Sequence, residues 1–445
     1  PDYAKALRQG SEFLELDPPE DLDDALTFLL ILYTNVPSIT GYPVYLGDLD
    51  VLLAPFADGV DGRHLHASLR RFWIALDRML PDGFVHANLG PADSRVARAI
   101  LAVDRECRQT VPNLTLKVAL DTPDELVLDA VTTVFVTGKP HFVNHEMMTS
   151  DLGADYGVVS CYNSLKAGGG SHTLVRLNLK DVARRHRGSV ESFLDTTLIE
   201  YAELNAELME ARIRYLVEDA RFFEHDFLAV EGLVALDRFG AMYGVYGMAE
   251  AVDHLMILEG SDARYGHDGR ANDVALAITE RIRAFVDERP MPYTEGGGGH
   301  AFLHAQSGID SDLEVSAGVR IPIGSEPELF EHIATVAPHH RLFAAGVSDI
   351  FNIDDTVQRN PDAMVDVIRG AFASGMRDFT FNIDSNEFVR ITGYLVRKSE
   401  LERHATGAER HGSTVFAAGS MENSHIPERV VKRVRAHERD AGPGQ

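Results

Sequence analysis

Cysteine is scarce in this sequence, with only Cys107 and Cys161 among 445 residues. Two cysteines exclude a scaffold held together by disulfides and a structural zinc site built from four thiolates. We expect no signal peptide, and the sequence has no apolar run of about 18 residues, which a membrane-spanning helix would need. We therefore expect a soluble, cytoplasmic protein.

Lysine is also rare, because seven of the 42 basic residues are lysines, against 68 acidic residues and a formal charge of −26. A surface rich in carboxylates and poor in lysine is favoured in high-salt cytoplasm, where salt screens the self-repulsion. The alternative is an acidic protein from a low-salt cell. In either case most of the surface would repel the phosphate backbone of a nucleic acid, so we expect no nucleic-acid partner.

Segments with helical periodicity alternate with short apolar and β-branched segments. Helices are predicted over residues 11–32, 62–83, 94–113, 123–138, 189–218 and 275–288, with Ser189 as an N-cap. Strands are predicted over residues 114–120, 313–323 and 376–384. Because this alternation is typical of α/β proteins, we expect an α/β barrel or an open α/β sheet, in one domain over residues 1–445.

Two common kinds of site are disfavoured. The 19 histidines include the pairs His141/His145, His300/His304 and His339/His340, but none has the companion ligands of an H-E-x-x-H zinc site, so we expect no metal. The glycine run 168–170 lacks the G-K-[ST] ending of a phosphate-binding loop. We expect that run to turn tightly beside a ligand or another loop.

Cys161 lies between an apolar run and the Tyr162-Asn163 pair that leads into these glycines. A nucleophilic thiol would need a nearby histidine or a helix N-terminus to lower its pKa, and the sequence offers no clear partner. Taken alone, Cys161 is better explained as an inert buried cysteine.

The segment "RITGYL", residues 390–395, changes this interpretation. It resembles the C-terminal R-V-x-G-Y signature of glycyl radical enzymes, which also carry a cysteine on a loop in mid-chain. Stretches such as "TGYPVYLGDLD", "HANLGPADSR", "PHFVNHEM", "GGGSHTLVRL" and "ENSHIPERVVKRVRAHERD" are similar to the YjjI family of these enzymes, which is related to anaerobic ribonucleotide reductase and pyruvate formate-lyase. The resemblance extends from about Tyr33 to Asp440.

The resemblance gives Gly393 and Cys161 catalytic roles that suit their chemistry. A backbone radical is stabilised when its α-carbon becomes planar, and glycine accepts that geometry because it has no Cβ. The weak S–H bond of Cys161 would then give its hydrogen to the Gly393 radical, and the thiyl radical would attack a substrate C–H bond. Burial would keep oxygen and water away.

The resemblance also implies a fold, a modification and a partner. The fold would be a ten-stranded α/β barrel of two five-stranded halves, with the Cys161 and Gly393 loops meeting inside and a C-terminal glycyl radical segment over residues 375–440. An activating enzyme with an iron–sulfur cluster would install the radical with S-adenosylmethionine, and no cofactor would stay bound. The active enzyme would be anaerobic, cleaved by oxygen at Gly393, and possibly a homodimer.

Departures from the relatives bear on the reaction. The two cysteines cannot form the four-cysteine zinc site of the reductases, and Cys161 lacks the adjacent cysteine of pyruvate formate-lyase. Asn163 stands where the radical eliminases carry a glutamate base. We therefore expect a redox-neutral dehydration, elimination or rearrangement of a small hydroxylated substrate, similar to a sugar or nucleoside. Reduction with formate and a non-catalytic, ligand-binding or regulatory barrel remain as alternatives.

Five further residues are candidates for substrate contact or proton transfer. Asn178 matches an asparagine of a reductase strand, and Asn163, His145 and Glu146 lie in loops near the two motifs. His304, in "HAFLHAQSG", is the last. For the loop residues, ordinary hydrogen bonding within a loop is an equally good interpretation.

Overall fold

The computed structural model describes most of the chain. The described residues are 1–36, 44–79, 85–159, 162–305, 314–347, 349–391, 395–410, 412–424 and 428–434. Cys161 and Gly393 lie outside them, in the gaps 160–161 and 392–394. The described residues that border these gaps are Val159, Tyr162, Ile391 and Leu395.

Short strands are distributed over the whole described chain. They are β1 (Val44–Asp48), β2 (Val85–Leu89), β3 (Asn113–Val118), β4 (His141–Asn144), β5 (Tyr156–Val159), β6 (Asn163–Lys166), β7 (Gly170–Asn178), β8 (Phe239–Tyr246), β9 (Phe302–Ala305), β10 (Ile350–Ile353), β11 (Asp378–Ile383), β12 (Phe388–Arg390), β13 (Leu395–Arg397) and β14 (Val431–Lys432).

Helices connect most of these strands. They are α1 (Tyr3–Gln9), α2 (Leu22–Asn35), α3 (Leu49–Ala57), α4 (Gly62–Met79), α5 (Arg95–Cys107), α6 (Asp124–Thr137), α7 (His145–Leu152), α8 (Leu179–Arg185), α9 (Val190–Ser192), α10 (Leu198–Arg214), α11 (Phe222–His225), α12 (Phe227–Val230), α13 (Met248–Leu258), α14 (Gly269–Glu288), α15 (Leu329–His340), α16 (Asp362–Ser374), α17 (Lys398–His404) and α18 (Gly412–Ser424). Two π-helical turns, Phe193–Thr197 and Tyr215–Asp219, flank α10.

A seven-stranded sheet has the order β1-β2-β3-β4-β11-β10-β14, and β7-β8-β9 form a parallel three-stranded sheet. Neighbours in the larger sheet are parallel except β4 and β11, which are antiparallel. The mixed α/β architecture confirms the expected fold class, whereas ten strands in two equal halves and the closure of a barrel stay predictions. One hydrophobic core cluster extends from Tyr3 to Ile383, and the division into domains also stays a prediction.

Two local predictions were wrong in part. The helix predicted over residues 11–32 begins at Leu22, because Asp21 caps it by accepting a hydrogen bond from Asp24 N, while Ser11 and Leu16 form an antiparallel bridge. Residues 314–323 form turns and not a strand, since the Glu250 carboxylate accepts hydrogen bonds from both the backbone N and the hydroxyl of Ser316. Ser189 is an N-cap, as predicted.

Strands β2 and β3 are buried along their whole length but are not uniformly apolar. Strands of a parallel sheet covered on both faces are usually rich in valine, isoleucine and leucine. Here one face of β3 carries Asn113, Thr115 and Lys117, and one face of β11 carries Asp378, Thr380 and Asn382, all buried. These polar faces hold the candidate site in place.

Candidate active site

Strands β5 and β6 form an antiparallel hairpin, here called the cysteine hairpin, whose tip contains Cys161 and which pairs Val159 with Asn163. Side chains of the seven-stranded sheet hold its first strand. The Asn88 amide donates to Val158 O and accepts from Val158 N, both at 2.8 Å, and Lys117 Nζ donates to Tyr156 O at 2.9 Å. The hairpin is therefore fixed by direct bonds to β2 and β3.

Tyr162, which follows Cys161, is 1% exposed and has a φ of +66°. Its ring meets the ring of His141 edge-on, with centroids 4.7 Å apart. Its backbone packs against Gly346, where an added Cβ would lie 1.9 Å from Tyr162 O. Glycine at position 346 thus permits a close approach of the cysteine hairpin that any side chain would prevent.

Strands β12 and β13 form a second antiparallel hairpin, here called the glycine hairpin, in which Arg390 pairs with Leu395 across the loop that contains Gly393. The Asn382 amide donates to Arg390 O at 3.0 Å and accepts from Arg390 N at 2.8 Å. Arg429 Nη2 lies 3.5 Å from Ile391 O, as a long hydrogen bond. Side chains from outside the hairpin thus hold the strand that leads to Gly393.

A buried polar layer lies between the two hairpins. Thr115 Oγ1 lies 2.7 Å from His86 Nε2 and 3.2 Å from His141 Nε2. Burial lowers the pKa of both imidazoles, and the positive charge of Arg390 adds to this, so both are neutral. Burial also raises the pKa of the Tyr162 phenol, while Arg390 acts on it in the opposite direction. Residues from both hairpins therefore share one electrostatic environment.

Two buried carboxyl groups beside this layer have pKa values that are shifted in opposite directions. Asp349 accepts hydrogen bonds from His332 Nε2 at 3.3 Å and His340 Nε2 at 3.0 Å. Burial alone would raise the pKa of Asp349, but these two N–H groups outweigh burial and lower it. Asp378 is 1% exposed, and neither of its oxygens has a hydrogen-bond partner in the described part of the chain. Burial, and then the charge of Asp349, raise the pKa of Asp378 well above the usual range.

The proton positions around His340 agree with a neutral Asp378. Arg377 N donates to His340 Nδ1 at 3.1 Å, so the imidazole proton is on Nε2. Asp378 Oδ1 lies 3.5 Å from that same Nδ1. An ionised Asp378 would face a lone pair there, whereas a protonated carboxyl would not be repelled. The geometry thus favours the protonated form of Asp378, in the same direction in which burial raises its pKa.

His304 and Asn163, two of the predicted site residues, lie next to the cysteine hairpin. His304 Nδ1 bonds Ala345 O at 3.0 Å, and burial lowers the pKa of the imidazole to about 4. His304 Nε2 and Asn163 Oδ1 are buried and lack hydrogen-bond partners among the described residues. Buried polar atoms without partners are uncommon in proteins and are often satisfied by a ligand or water.

Asn163 also lines a cavity of about 340 Å³ beside the cysteine hairpin. Its other lining residues include Tyr45, Gly157, Val159, the glycine run 168–170, Ser171, Thr173, Phe239 and Met242. The run turns tightly there, as predicted, because a Cβ on Gly169 would lie 2.2 Å from Arg238 O. The cavity is largely apolar and carries a few polar groups, which is typical of small-ligand sites.

The remaining predicted residues lie further from the hairpin tips. His145 is half-buried at the start of α7, and its Nδ1 bonds the Tyr156 hydroxyl at 3.0 Å, which connects it to the base of the cysteine hairpin. Glu146 is exposed and accepts from Leu120 N at 2.7 Å. Asn178 caps α8 by accepting from Asp181 N at 3.3 Å. The structure thus places Asn163 within the cysteine hairpin and buries His304 beside it, whereas Glu146 is exposed and Asn178 is a partly buried helix cap.

Asn88, Asn382, Tyr162 and Asp378 are features that the sequence reasoning missed. A signal was present, because polar residues recur at every second position in segments that otherwise read as buried strands, as in "NLTLK" and "DFTFN". In the described part of the chain, no group of three or more His, Cys, Asp or Glu side chains is arranged to hold a metal ion, and no helix is long and apolar enough to span a membrane.

The family model for "Glycyl radical enzyme YjjI-like" proteins matches residues 1–432 of the chain. The chain belongs to the YjjI-like family of glycyl radical enzymes. It is 46% identical to YjjI of Escherichia coli (strain K12) over 442 residues, or 98% of the chain and 84% of that protein. A protein of Haemophilus influenzae is 38% identical over 97% of the chain and 84% of its own length.

Solved structures of glycyl radical enzymes share the fold at low sequence identity. The hydroxyproline dehydratase of Clostridioides difficile aligns with a TM-score of 0.75 and 14% identity, over 97% of this chain and 72% of its own. The glycerol dehydratase of Clostridium butyricum aligns at 0.74 and 11%, over 94% and 68%, and an anaerobic ribonucleotide reductase at 0.72 and 13%, over 91% and 76%. Enzymes of this type carry a glycine radical, which an activating enzyme of the radical S-adenosylmethionine class generally installs.

Proposed function

We propose that this glycyl radical enzyme stores its radical on Gly393 and uses Cys161 to carry out a redox-neutral dehydration, elimination or rearrangement of a small hydroxylated substrate. The observation that carries the proposal is the shared buried layer, where Tyr162 next to Cys161 and Arg390 before Gly393 lie in one electrostatic environment. Radical transfer between two loops requires such a meeting in a dry interior.

The hydrogen and electron count of the cycle is balanced. The Gly393 α-carbon radical takes the hydrogen atom of the Cys161 thiol, which leaves a thiyl radical. The thiyl takes a hydrogen atom from a substrate C–H bond, and the product radical takes the same hydrogen back after rearrangement or loss of water. The thiyl then takes the α-hydrogen of Gly393, which restores the glycyl radical and the thiol. No external electron is consumed, so no dithiol is required, in agreement with the presence of only two cysteines.

Loss of water also requires a proton for the departing hydroxyl group, and we assign this role to Asp378. Asp378 lies beside Tyr162 and outside the lining of the cavity at Asn163, so the reacting hydroxyl would have to extend from that cavity toward Tyr162. A general acid works best when its pKa lies near the working pH, and Asp378 combines a raised pKa with a place beside Tyr162. It would protonate the leaving hydroxyl and recover a proton from the hydroxyl on the neighbouring radical carbon. The substrate would then lose one water molecule overall.

The substrate class is supported by the size of the cavity and by the related structures. A volume of about 340 Å³ lies near the lower end of the range for small-ligand pockets, roughly 300–1,000 Å³. Glycerol and trans-4-hydroxy-L-proline, the molecules bound in two of the related structures, are small and hydroxylated. A sugar- or nucleoside-like molecule with a free hydroxyl next to a C–H bond fits this description.

The test is anaerobic co-expression with a radical S-adenosylmethionine activating enzyme, followed by electron paramagnetic resonance. We expect a doublet from the Gly393 α-hydrogen that is lost in Gly393→Ala, and cleavage of the chain at Gly393 after exposure to oxygen. Cys161→Ala should keep the doublet and lose turnover of small diols. A doublet that persists in Gly393→Ala, or no doublet with several matched activating enzymes, would disprove the proposal.

A further inference from the structure

Two buried asparagines hold the two hairpins in the same way. From this symmetry we infer that Asn88 and Asn382 are positioning residues that fix the distance over which hydrogen moves between Cys161 and Gly393. The inference rests on the proposed function, since it concerns the transfer step between these two residues.

The bond pattern is the same at both places. Asn88 exchanges a pair of hydrogen bonds with the backbone N and O of Val158, three positions before Cys161. Asn382 exchanges such a pair with the backbone N and O of Arg390, three positions before Gly393. Each amide thus bonds its hairpin at the backbone of the residue three positions before the reacting residue.

These contacts are well suited to fix position. An asparagine amide offers one acceptor and two donors, so it can reproduce the paired N–H and C=O bonds of a neighbouring strand. Asn88 is 0% exposed and Asn382 is 4% exposed, so loss of either amide would leave buried backbone groups without these partners. Both asparagines are on strands with a partner on each side, in the orders β1-β2-β3 and β4-β11-β10. The two hairpins are therefore attached to the interior of a rigid sheet.

Asn88 and Asn382 also lie beside the buried polar layer between the two hairpins. Asn88 is two positions from His86 on β2, and Asn382 is two positions from Thr380 on β11, so each pair shares a face of its strand. Reacting atoms must approach to about 3–3.5 Å, and a displacement of about 1 Å can slow a reaction by roughly 100-fold. Loss of the Asn88 or Asn382 amide should therefore slow hydrogen transfer between Cys161 and Gly393 in a protein that still folds.

The test follows the glycine hydrogen itself, without any substrate. After activation and transfer into D₂O, the thiol of Cys161 exchanges its hydrogen with solvent and returns deuterium to Gly393, which collapses the doublet to a singlet. The rate of this collapse measures the transfer between the two residues. Cys161→Ala, in which the doublet should persist, provides the zero-exchange reference.

We expect Asn88→Ala and Asn382→Ala to keep a doublet and to lose it in D₂O about 100-fold more slowly than the unaltered enzyme. Asn144→Ala is the matched control, because Asn144 is also buried and bonds backbone groups of Met147 and Met376, outside both hairpins. It should exchange at the unaltered rate. If the alanine variants do not fold, the smaller change to serine, which is too short to span both backbone groups, replaces them.

The outcomes separate this inference from the proposed function. If the unaltered enzyme shows no doublet, or a doublet that does not collapse in D₂O, the proposed Gly393–Cys161 transfer fails. If the unaltered enzyme exchanges normally and the folded Asn88 and Asn382 variants exchange just as fast, the positioning role is wrong. Equal slowing in Asn144→Ala would also contradict it, because the effect would then be one of general stability.

Discussion

Replacing Asp378 by asparagine should make the protein more stable at neutral pH, which is unusual for a change at a fully buried polar residue. The Asp378 carboxyl has a pKa raised by burial and by the charge of Asp349, while an unfolded aspartate has a pKa of about 3.9. Its contribution to stability is therefore complete below about pH 4 and is lost as the pH rises toward the folded pKa. Asparagine has the same shape and does not ionise.

The magnitude follows from proton linkage. Between the unfolded and folded pKa values, the unfolded chain has lost the proton that the folded chain keeps, which costs the folded state about 1.4 kcal/mol per pH unit. The free energy of unfolding of Asp378→Asn should exceed that of the unaltered protein, and the difference should grow by about 1.4 kcal/mol for each pH unit in this range. Urea unfolding at pH 5, 6, 7 and 8 measures it, because contributions from titrating groups that do not interact with Asp378 cancel in the difference.

Asp349→Asn is the matched control, since Asp349 is also buried but has a lowered pKa and two histidine partners. Hydrogen bonds to charged groups contribute roughly 1.5–3 kcal/mol each, so this variant should be destabilised. A stability difference for Asp378→Asn that stays constant from pH 5 to pH 8 would refute the argument for a neutral Asp378. Unchanged turnover in this variant would refute its role as proton donor.

Three further changes test the close approach of the cysteine hairpin and the limits of the site. Gly346→Ala should lose most turnover and about 1–3 kcal/mol of stability or more, because its Cβ would lie 1.9 Å from Tyr162 O at a φ of +120°. Thermal unfolding measures this loss against Gly370→Ala, a change at a helical position with open space around it. Equal stability of the two variants would contradict the close approach. Asn178→Ala should lose about 1 kcal/mol of stability, because α8 loses its cap. Both Asn178→Ala and Glu146→Gln should keep their turnover per folded molecule. A large loss of turnover in either variant would mean that the residue belongs to the active site.

Local sequence patterns predicted much of the secondary structure but not the contacts of the site. Arg95–Cys107 and Asp124–Thr137 are helices where helical periodicity predicted them. The prediction failed at residues 314–323, where the Glu250 carboxylate binds Ser316 from 66 positions away. Propensity describes local chain preference, and a tertiary bond of this kind overrides it.

Local patterns also could not predict the bonds by which Asn88 and Asn382 hold the two hairpins. Asn88 and Val158 are 70 positions apart, and no spacing rule connects them. The sequence could show only that polar residues alternate within buried strands. The pairing of Cys161 with Gly393 came from the family resemblance, because neither residue has a local pattern that points to the other.

The alternating polar residues have a common physical cause. A hairpin packed inside a protein has outer backbone N–H and C=O groups that must find partners away from water. The strands β2, β3 and β11 cannot supply backbone partners, because each already has a neighbour on both sides. Side chains that rise from the faces of these strands can satisfy the hairpins instead, and Asn88, Lys117 and Asn382 do so. A protein that places two hairpins against a sheet must therefore put polar residues in strands that would otherwise be apolar, and their positions mark where the hairpins lie.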